Sequence, residues 1–190
     1  LVVELLDPQP GERVLDACAA PGAAATAIAE RVGDAGQVIA LDRNERRLGL
    51  VARDAARLGL DNLRVLRADA SAAEIEGLDA APFDRILVDA PCSGLGTLRR
   101  HPELRYRRQE SDLSQLAQLQ REILEQCHQV LKPGGLLIYA VCSTDSVEGA
   151  DQLEMFLRSH PDFSTEPPIG LGSLPTWQGH LRTLPGPEGL

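Results

Sequence analysis

Several residue types are scarce in this chain, and each shortage excludes a class of protein. Aromatic residues make up 3% of the 190 residues, so aliphatic side chains must supply the hydrophobic core. The sequence has no apolar run of about 18 residues and no signal peptide, which excludes an ordinary membrane span. Lys132 is the only lysine, and the formal net charge is −9. An acidic chain is not an obvious nucleic-acid binder.

Cysteine is also sparse, and its spacing limits its use. The four cysteines are far apart and none belongs to a C-x-x-C pair, so a zinc knuckle is not expected and no metal site is predicted. Wide spacing predicts reduced thiols in a cytoplasmic protein rather than a disulfide framework. The cysteines are Cys18, Cys92, Cys127 and Cys142. Cys127 falls on the apolar face of a predicted helix, which favours a structural role.

The phosphate-binding signatures are missing too. A dinucleotide-binding loop would carry G-x-G-x-x-G after the first strand, but the loop Asp16–Gly22 contains a single glycine. The G-x-x-x-x-G-K-[ST] loop of nucleotide triphosphate enzymes is likewise not found. The sequence therefore argues against NAD and against a nucleotide triphosphate as ligand.

What the chain does contain is a regular alternation of strand and helix patterns, repeated five times. This pattern predicts an α/β fold with a mostly parallel sheet and helices on both faces. Asn44 is the predicted N-cap of the second long helix, and Ser111 or Asp112 that of the third. The strands are predicted at 13–16, 37–42, 63–67, 83–88 and 136–141, and the helices at 1–6, 23–32, 45–58, 113–131 and 147–158. Residues 71–78 are predicted as a short helix or loop, and 132–135 as the end of the third long helix.

A carboxylate stands at or just after the end of each of the first four strands. The four residues are Asp16, Asp42, Asp69 and Asp89. A single aspartate in such a place is usually a helix cap or a turn former. Four in succession instead predict a ligand-binding rim at the carboxyl ends of the strands.

Two of the thiols follow buried strands directly. Cys92 comes after Ile86–Asp89, and Cys142 comes after a second apolar run, 136–141. Neighbouring strands lie about 5 Å apart, so two such strands could bring both thiols into one pocket.

The ligand is predicted from the charge of the rim. A carboxylate at the end of the second strand suits a ribose diol. Carboxylates without a basic cradle also suit a ligand that carries an ammonium and a sulfonium. S-adenosylmethionine meets this description, whereas NAD, with its pyrophosphate, does not.

Five short motifs then give a specific resemblance. They are Asp16-x-Cys18-Ala-Ala-Pro-Gly22, Asp89-Ala-Pro-Cys-Ser-Gly94, His101-Pro-Glu-Leu-Arg-Tyr106, Leu131-Lys-Pro-Gly-Gly135 and Tyr139-x-x-Cys-Ser-Thr144. Standing in this order from about Val3 to Arg158, they resemble the catalytic domain of the Sun/Fmu (RsmB-like) ribosomal RNA cytosine-5 methyltransferases. The resemblance implies a Rossmann-like, S-adenosylmethionine-dependent methyltransferase that modifies C5 of a cytosine in RNA, with 16S ribosomal RNA the expected substrate.

The resemblance also implies roles for particular residues. Cys142 corresponds to the nucleophile, Cys92 to the cysteine needed for product release, and Asp89 to a carboxylate facing both methyl donor and base. The matching donor-binding positions are Cys18, Ala19, Ala20, Pro21, Gly22, Asp42, Arg43, Asp69 and Asp89. The N-terminus of a helix near 143–147 is expected to favour the thiolate of Cys142.

One departure from the family bears on the donor site. The family usually continues Ala-Pro-Gly with Gly-Lys-Thr, whereas this chain has Ala23-Ala24-Ala25. A non-catalytic RNA-binding or ribosome-assembly module with a degenerate donor site therefore stays open as an alternative. A tRNA cytosine-5 methyltransferase is a further alternative.

The one dense basic cluster follows the Cys92 loop. It consists of Arg99, Arg100, Arg105, Arg107 and Arg108, and we expect it to contact RNA phosphates rather than to form only a solvated loop. His101 lies among these arginines, and its expected role is structural.

The resemblance and composition also set expectations for domain organisation. Residues 1–160 are expected to form the methyltransferase domain, and 161–190, rich in Pro and Gly, a C-terminal segment of the same domain. The chain looks truncated, because the family carries an upstream RNA-binding domain that is absent here. A cytoplasmic monomer without a membrane partner is expected.

Overall fold

A computed structural model describes residues 1–166, 176–177 and 180–181. The chain divides into two compact units. The first unit comprises Leu1–Ala90 and Glu122–Ala140, and the second comprises Pro91–Arg121 and Val141–Leu190. The elements are α1 (Val2–Leu6), β1 (Arg13–Asp16), α2 (Ala23–Val32), β2 (Gln37–Asp42), α3 (Glu45–Leu58), β3 (Leu63–Arg67), β4 (Phe83–Asp89), α4 (Leu104–Arg107), α5 (Glu110–Gln129), β5 (Leu131–Ala140), α6 (Ala150–Ser159), β6 (Thr176–Trp177) and β7 (His180–Leu181).

The first unit is built on a five-stranded sheet in the order β3-β2-β1-β4-β5. Each neighbouring pair of strands is parallel, so the predicted parallel α/β sheet is confirmed. The central strands are buried on both faces, as their continuous apolar runs require: Ile86–Val88 and the residues 38–41 are almost fully inaccessible. Helices α1, α2 and α3 pack against this sheet.

A tight turn links β1 to α2 at the carboxyl edge of the sheet. Gly22 is the N-cap of α2 and has a φ of +116°, in the range that favours glycine. A Cβ at Gly22 would also stand 3.1 Å from atoms of Val51 on α3. The glycine therefore lets the turn and α3 approach closely, which explains the small-residue composition of this loop.

The third long helix differs from its predicted bounds. Helix α5 starts at Glu110, so the predicted caps Ser111 and Asp112 lie inside its first turn and the cap prediction was wrong. Asp112 instead accepts a hydrogen bond from the backbone N–H of Gln109, three residues earlier, at 3.1 Å. This is the reciprocal half of a capping box, in which a first-turn side chain reaches back to the chain entering the helix.

The end of this helix and the start of β5 are set by the sheet. The backbone N–H of Phe83 donates to the carbonyl of Val130 at 2.8 Å, and Leu131 pairs with Phe83. The next pair is Arg85 with Leu136, so the residues 132–135 form an irregularity within β5 rather than a helix end. Helix α5 therefore ends at Gln129, and Leu131, which the helical periodicity assigned to the helix, belongs to β5.

The predicted helix at 147–158 was also shifted. A 3₁₀ turn spans Ser146–Glu148, and α6 begins only at Ala150. Gly149, with φ −115° and ψ −100°, separates the two. The helix N-terminus expected near 143–147 to favour the Cys142 thiolate is therefore not where it was predicted.

The remaining segments are largely irregular. The stretch 71–78 forms turns rather than a helix. In the C-terminal segment the structure describes two short antiparallel strands, β6 and β7, and the rest of the 161–190 prediction beyond Glu166 lies outside the described residues. Among the helices described, none has the length and apolar character needed to cross a bilayer.

Candidate functional site

The first unit carries a cavity at the carboxyl edge of its sheet. The cavity encloses about 320 Å³, a volume that includes open solvent at its mouth. Its lining residues are Asp16, Cys18, Ala19, Ala20, Pro21, Gly22, Ala23, Ala24 and Asp89. Six of the nine predicted donor-binding positions thus line one cavity, formed where β1 and β4 end side by side.

The charge of this cavity is acidic. Asp16 is 1% exposed, and neither of its carboxyl oxygens has a hydrogen-bond partner among the described residues. Burial, and then the negative charge of Asp89, raise the pKa of Asp16 to about 7. The backbone N–H of Cys18 partly offsets this increase by lowering the pKa of Asp16, although the contact between them does not have the geometry of a hydrogen bond. Burial also raises the pKa of Asp89. The cavity lining holds no Lys or Arg, so a cationic ligand group would relieve the repulsion between these carboxyl groups.

Asp42, at the end of β2, is hydrogen-bonded to the loop that lines the cavity. Its carboxylate accepts from the backbone N–H of Ala20 at 3.2 Å and from that of Asn44 at 2.8 Å. The same loop is tied from α3, because the Arg47 guanidinium donates to the Ala20 carbonyl. Asp42 therefore holds the loop that lines the cavity, and its predicted contact with a ribose stays a prediction.

Asp69 and Arg43 lie outside the cavity lining. Asp69 is exposed, and hydrogen bonds from the Ser71 hydroxyl at 2.7 Å and amide at 2.9 Å hold its pKa below the ordinary value. The Arg43 charge lowers it further, which indicates that these two side chains lie near each other. Their donor-binding roles stay predictions.

Two cysteine sulfurs meet in the second unit. The Sγ atoms of Cys92 and Cys142 are 3.1 Å apart, and neither cysteine is in a disulfide. A disulfide would require about 2.05 Å, so the contact is a thiol–thiol hydrogen bond. Cys142 is exposed and Cys92 is half-buried. The contact with Cys142 and then burial strongly raise the pKa of Cys92, which favours its protonated thiol; either sulfur can be the donor of this hydrogen bond.

The other two cysteines, Cys18 and Cys127, both belong to the first unit, and they are near enough for Cys127 to contribute to the raised pKa of Cys18. Cys18 lines the acidic cavity, where burial and the Asp16 charge raise the pKa of its thiol. Cys127 is fully inaccessible on α5, and burial raises its pKa to about 12. An inert, buried Cys127 confirms the structural role predicted for it.

A buried polar cluster lies beside the cysteine pair in the second unit. Glu148, 0% exposed, accepts hydrogen bonds from the Ser93 amide at 2.8 Å, from the Ser93 hydroxyl, and from Gln120 Nε2 at 3.2 Å. The Ser93 hydroxyl also lies 3.1 Å from that of Ser143. Ser93 and Ser143 each follow one of the two cysteines directly.

The loop that carries Cys92 has two further attachments. The backbone N–H of Gly96 donates to the carbonyl of Cys142 at 3.0 Å, and a Cβ at Gly96 would stand 2.9 Å from that oxygen. Arg108 donates from Nε to the Ser93 carbonyl at 2.9 Å and from Nη2 to the Cys92 carbonyl at 3.2 Å. The Arg108 side chain thus braces the loop, and a contact with RNA is a separate prediction for it.

The rest of the basic cluster faces solvent. All four remaining arginines of the predicted RNA surface are exposed, two of them on the short helix α4: Arg99, Arg100, Arg105 and Arg107. The ring of His101 lies 3.3 Å from the carboxylate of Glu103, which favours the structural role expected for it.

Several residues of these sites had no role in the sequence-based prediction. Asp16 was recognised only as one of four strand-end carboxylates, although its place at the end of β1 was a usable signal. Ser93 stood inside a quoted motif without a role. Nothing in the sequence marked Glu148 or Gln120, since both fall on predicted helices where glutamate and glutamine are common.

Comparisons with known proteins identify the family to which the chain is similar. The chain matches the profile of the 16S rRNA methyltransferase RsmB/F family over residues 3–189. It is 46% identical over 160 residues to ribosomal RNA small subunit methyltransferase B of Yersinia pseudotuberculosis (serotype O:1b), which is 84% of this chain and 37% of that protein. The chain therefore spans less than two-fifths of the length of this curated relative.

Solved structures are also similar to this chain. The crystal structure of PH0851 superimposes with a TM-score of 0.89 at 35% identity, covering 96% of this chain and 41% of that one. NSun6 from Pyrococcus horikoshii, crystallised with SFG, gives a TM-score of 0.74 at 29% identity over 83% of this chain and 40% of that one.

At lower identity a SAM-dependent O-methyltransferase from Thermotoga maritima (22%, TM-score 0.56) covers 81% of this chain and 47% of that one, and shares the fold alone. The fold is thus the Rossmann-like fold of S-adenosylmethionine-dependent methyltransferases. Because the family profile spans nearly the whole chain, we conclude that this chain belongs to the RsmB/F family of 16S rRNA methyltransferases.

Proposed function

We propose that this chain transfers a methyl group from S-adenosylmethionine to C5 of a cytosine in RNA, with 16S ribosomal RNA as the substrate. The single observation that carries the proposal is the 3.1 Å contact between the sulfurs of Cys92 and Cys142. Two thiols in contact, one exposed and one kept protonated, suit a reaction that first forms and then breaks a bond between sulfur and substrate.

The acidic cavity fits the donor. Its two carboxyl groups suit a ligand bearing an ammonium and a sulfonium, and the lining has no basic group that would hold a pyrophosphate. Bound there, S-adenosylmethionine supplies an electrophilic methyl group. The cationic groups of the donor would lower the pKa of Asp16, so donor binding is expected to release protons near neutral pH. The use of SFG in the NSun6 crystals supports a ligand of this class.

Cys142 is the proposed nucleophile. C5 of cytosine is a poor nucleophile, and addition of the Cys142 thiolate to C6 makes C5 enamine-like. Formation of the S–C6 bond pushes the C5=C6 electron pair toward N3. C5 would then take the methyl group as the methyl–sulfonium bond breaks, with that bond's electron pair staying on the donor's sulfur. The Cys92 thiol, held protonated, donates to the Cys142 sulfur and so favours its thiolate.

Asp89 and Cys92 are proposed to complete the cycle. With its raised pKa, Asp89 can hold a proton near N3 of the ring, so that negative charge does not build up there. The C5 proton must then leave, after which the electron pair restores the C5=C6 bond and expels the Cys142 sulfur. We assign the removal of that proton to a water that Cys92 positions, or to Cys92 itself once its own proton has passed to solvent.

The nucleophile is tested by Cys142→Ala, which should abolish methyl transfer because no thiolate is then left at this position to add to C6. The measurement is tritium transferred from labelled S-adenosylmethionine to an unmodified 16S rRNA transcript. Cys127→Ala is the matched control, since this buried thiol lies outside the proposed machinery and its variant should keep activity. Retained transfer by the Cys142 variant would reject the covalent mechanism.

The release role is tested by Cys92→Ala. Without Cys92, addition and methylation are slower but still proceed, whereas elimination stalls, so a protein–RNA adduct should accumulate. The adduct appears as a slowly migrating band on a denaturing gel and should vanish in the Cys92→Ala/Cys142→Ala double variant. A Cys92→Ala chain that forms no adduct would remove this role.

One observation favours a second candidate, a non-catalytic RNA-binding or ribosome-assembly module. Ala23 and Ala24, which stand where the family usually has Gly-Lys, line the acidic cavity. Titration calorimetry with S-adenosylmethionine separates the two candidates. Saturable binding supports the enzyme, and no heat at millimolar donor supports the module.

Parallel transfer assays on a 16S rRNA transcript and a tRNA pool decide between those two substrates.

A further inference from the structure

We propose that Glu148 is a positioning residue that holds the sulfurs of Cys92 and Cys142 in contact, acting through Ser93 and Ser143. The inference rests on the proposed function for its catalytic meaning. Glu148 touches neither substrate nor donor in this role. It fixes the two polypeptide segments that present the thiols.

The burial of Glu148 requires an explanation. A carboxyl group that is 0% exposed is costly to remove from water and persists where hydrogen-bond donors surround it. Three donors do so here: the amide and hydroxyl of Ser93 and the side-chain amide of Gln120. Two of the three belong to the residue that follows Cys92.

The cluster is joined to the second cysteine as well. The Ser93 hydroxyl lies 3.1 Å from the Ser143 hydroxyl, and Ser143 follows Cys142. Gln120 donates a further bond to the carbonyl of Pro91 at 2.9 Å, immediately before Cys92. A chain of hydrogen bonds therefore runs from the neighbours of one thiol, through Glu148, to the neighbour of the other.

Geometry rather than charge is the proposed contribution. In Glu148→Gln one oxygen can still accept from the Ser93 amide and Gln120. The new NH₂ group can donate to the Ser93 hydroxyl, which then donates to Ser143. The hydrogen bonds named above are all kept in Glu148→Gln, so this conservative variant should behave like the unmodified chain. Glu148→Ala removes the acceptor of all three donors.

The test measures how fast diamide oxidises Cys92 and Cys142 to a disulfide, followed by mass spectrometry of the linked peptides. The two thiols lose two electrons and two protons, and diamide takes them up as the hydrazine. Because the rate depends on the sulfurs being in contact, Glu148→Ala should slow it by about tenfold or more, whereas Glu148→Gln should not. Glu154→Ala, at an exposed position on α6, is the matched control and should leave the rate unchanged.

A pH series separates geometry from thiol ionisation. Displaced sulfurs slow oxidation by the same factor at every pH, whereas an altered thiol pKa moves the whole profile along the pH axis. The kcat for methyl transfer should fall in Glu148→Ala while the KM for the donor, whose cavity lies in the first unit, stays the same. A purely structural role would lower the melting temperature and leave the oxidation rate of the folded chain unchanged.

The outcomes are distinguishable. Oxidation of Glu148→Ala at the normal rate, or a profile that only shifts with pH, overturns the positioning role. If Glu148→Ala does not fold, Ser93→Ala carries the test, since it removes only the hydroxyl bridge, and an unchanged rate there overturns the proposal. If the unmodified chain fails to methylate RNA, the proposed function falls, yet the oxidation rates still decide the role of Glu148.

Discussion

Asp16 is the residue whose environment is most at odds with its chemistry. It closes β1, is 1% exposed, and finds no hydrogen-bond partner for its carboxyl oxygens within the described residues. Natural proteins satisfy most buried polar atoms, so an unsatisfied carboxyl group on a cavity wall fits the donor site proposed above. Because the buried Asp16 carboxyl group is destabilised when it ionises, the folded chain loses stability as the pH rises.

We predict that Asp16→Asn removes that dependence. The folded pKa of about 7 lies above the ordinary value of 3.8, so the folded state binds the proton more tightly than the unfolded state. The stabilisation is complete below about pH 4 and is lost as the pH rises to about 7, a change of roughly 3 kcal/mol between pH 5 and pH 8. Urea denaturation of both chains at these pH values measures it. Equal pH dependence in the two chains would contradict the prediction.

The sequence predicted that Cys92 and Cys142 lie together, but it did not predict the hydrogen bonds that hold their segments in place. The positions of Cys92 and Cys142 directly after two apolar strands predicted a shared pocket, because neighbouring parallel strands end together. The contacts of Ser93 with Glu148 join residues 55 apart in the chain, and no local pattern encodes such a contact.

Among the elements, α3 shows how local signals fix a helix. The side chain of Asn44 accepts a hydrogen bond from the backbone N–H of Arg47 at 3.0 Å, so it is the N-cap that the sequence predicted. Gly59 ends the helix with a φ of +70°. Leu48, Val51 and Ala55, at helical spacing, form its buried face.

We predict that Asn44→Ala lowers the free energy of unfolding by about 1 kcal/mol, because the Arg47 amide loses its acceptor. Chemical denaturation followed by circular dichroism measures the change. Arg53→Ala, at an exposed position on the same helix, is the control and should change stability by much less. A loss as small as that of the control would show that the cap contributes nothing.

Helices and strands that end at caps, breakers or changes of periodicity begin and end where the sequence predicted. Elements whose ends are set by contacts with distant residues do not. The observed limits of α2, α3, β1, β2 and β3 are those predicted from periodicity, caps and breakers. The junction of α5 with β5 moved because Phe83 on β4 binds the Val130 carbonyl. The start of α6 moved because the 3₁₀ turn 146–148 holds Glu148 in the buried cluster instead.

At the scale of the whole molecule, charge is unevenly distributed. The chain carries a formal charge of −9, yet Arg99, Arg100, Arg105 and Arg107 are exposed within nine residues of one another. A local basic surface on an acidic chain favours a polyanion at that surface only. This surface lies in the second unit, which also carries the cysteine pair.

We predict that Arg105→Glu combined with Arg107→Glu weakens binding to a 16S rRNA transcript and reduces the slope of log K against log salt by about 1 to 2. The physical reason is the loss of two phosphate contacts and of the counterions they release. Filter binding over a salt series measures both quantities. Arg53→Glu with Arg57→Glu on α3 is the charge-matched control, and equal effects in both pairs would reject a specific RNA surface.

The sequence by itself determined the α/β class, most of the helix and strand limits, the acidic rim and the pair of strand-end thiols. These features follow from hydrophobic periodicity, caps and strand-end residues, which act between neighbours in the chain. Only the tertiary structure decided which carboxyl group lacks a partner among the described residues, that the two thiols touch, and which buried glutamate ties the two cysteine segments together. Those properties depend on burial and on contacts between residues far apart in the chain, and local sequence patterns do not record either.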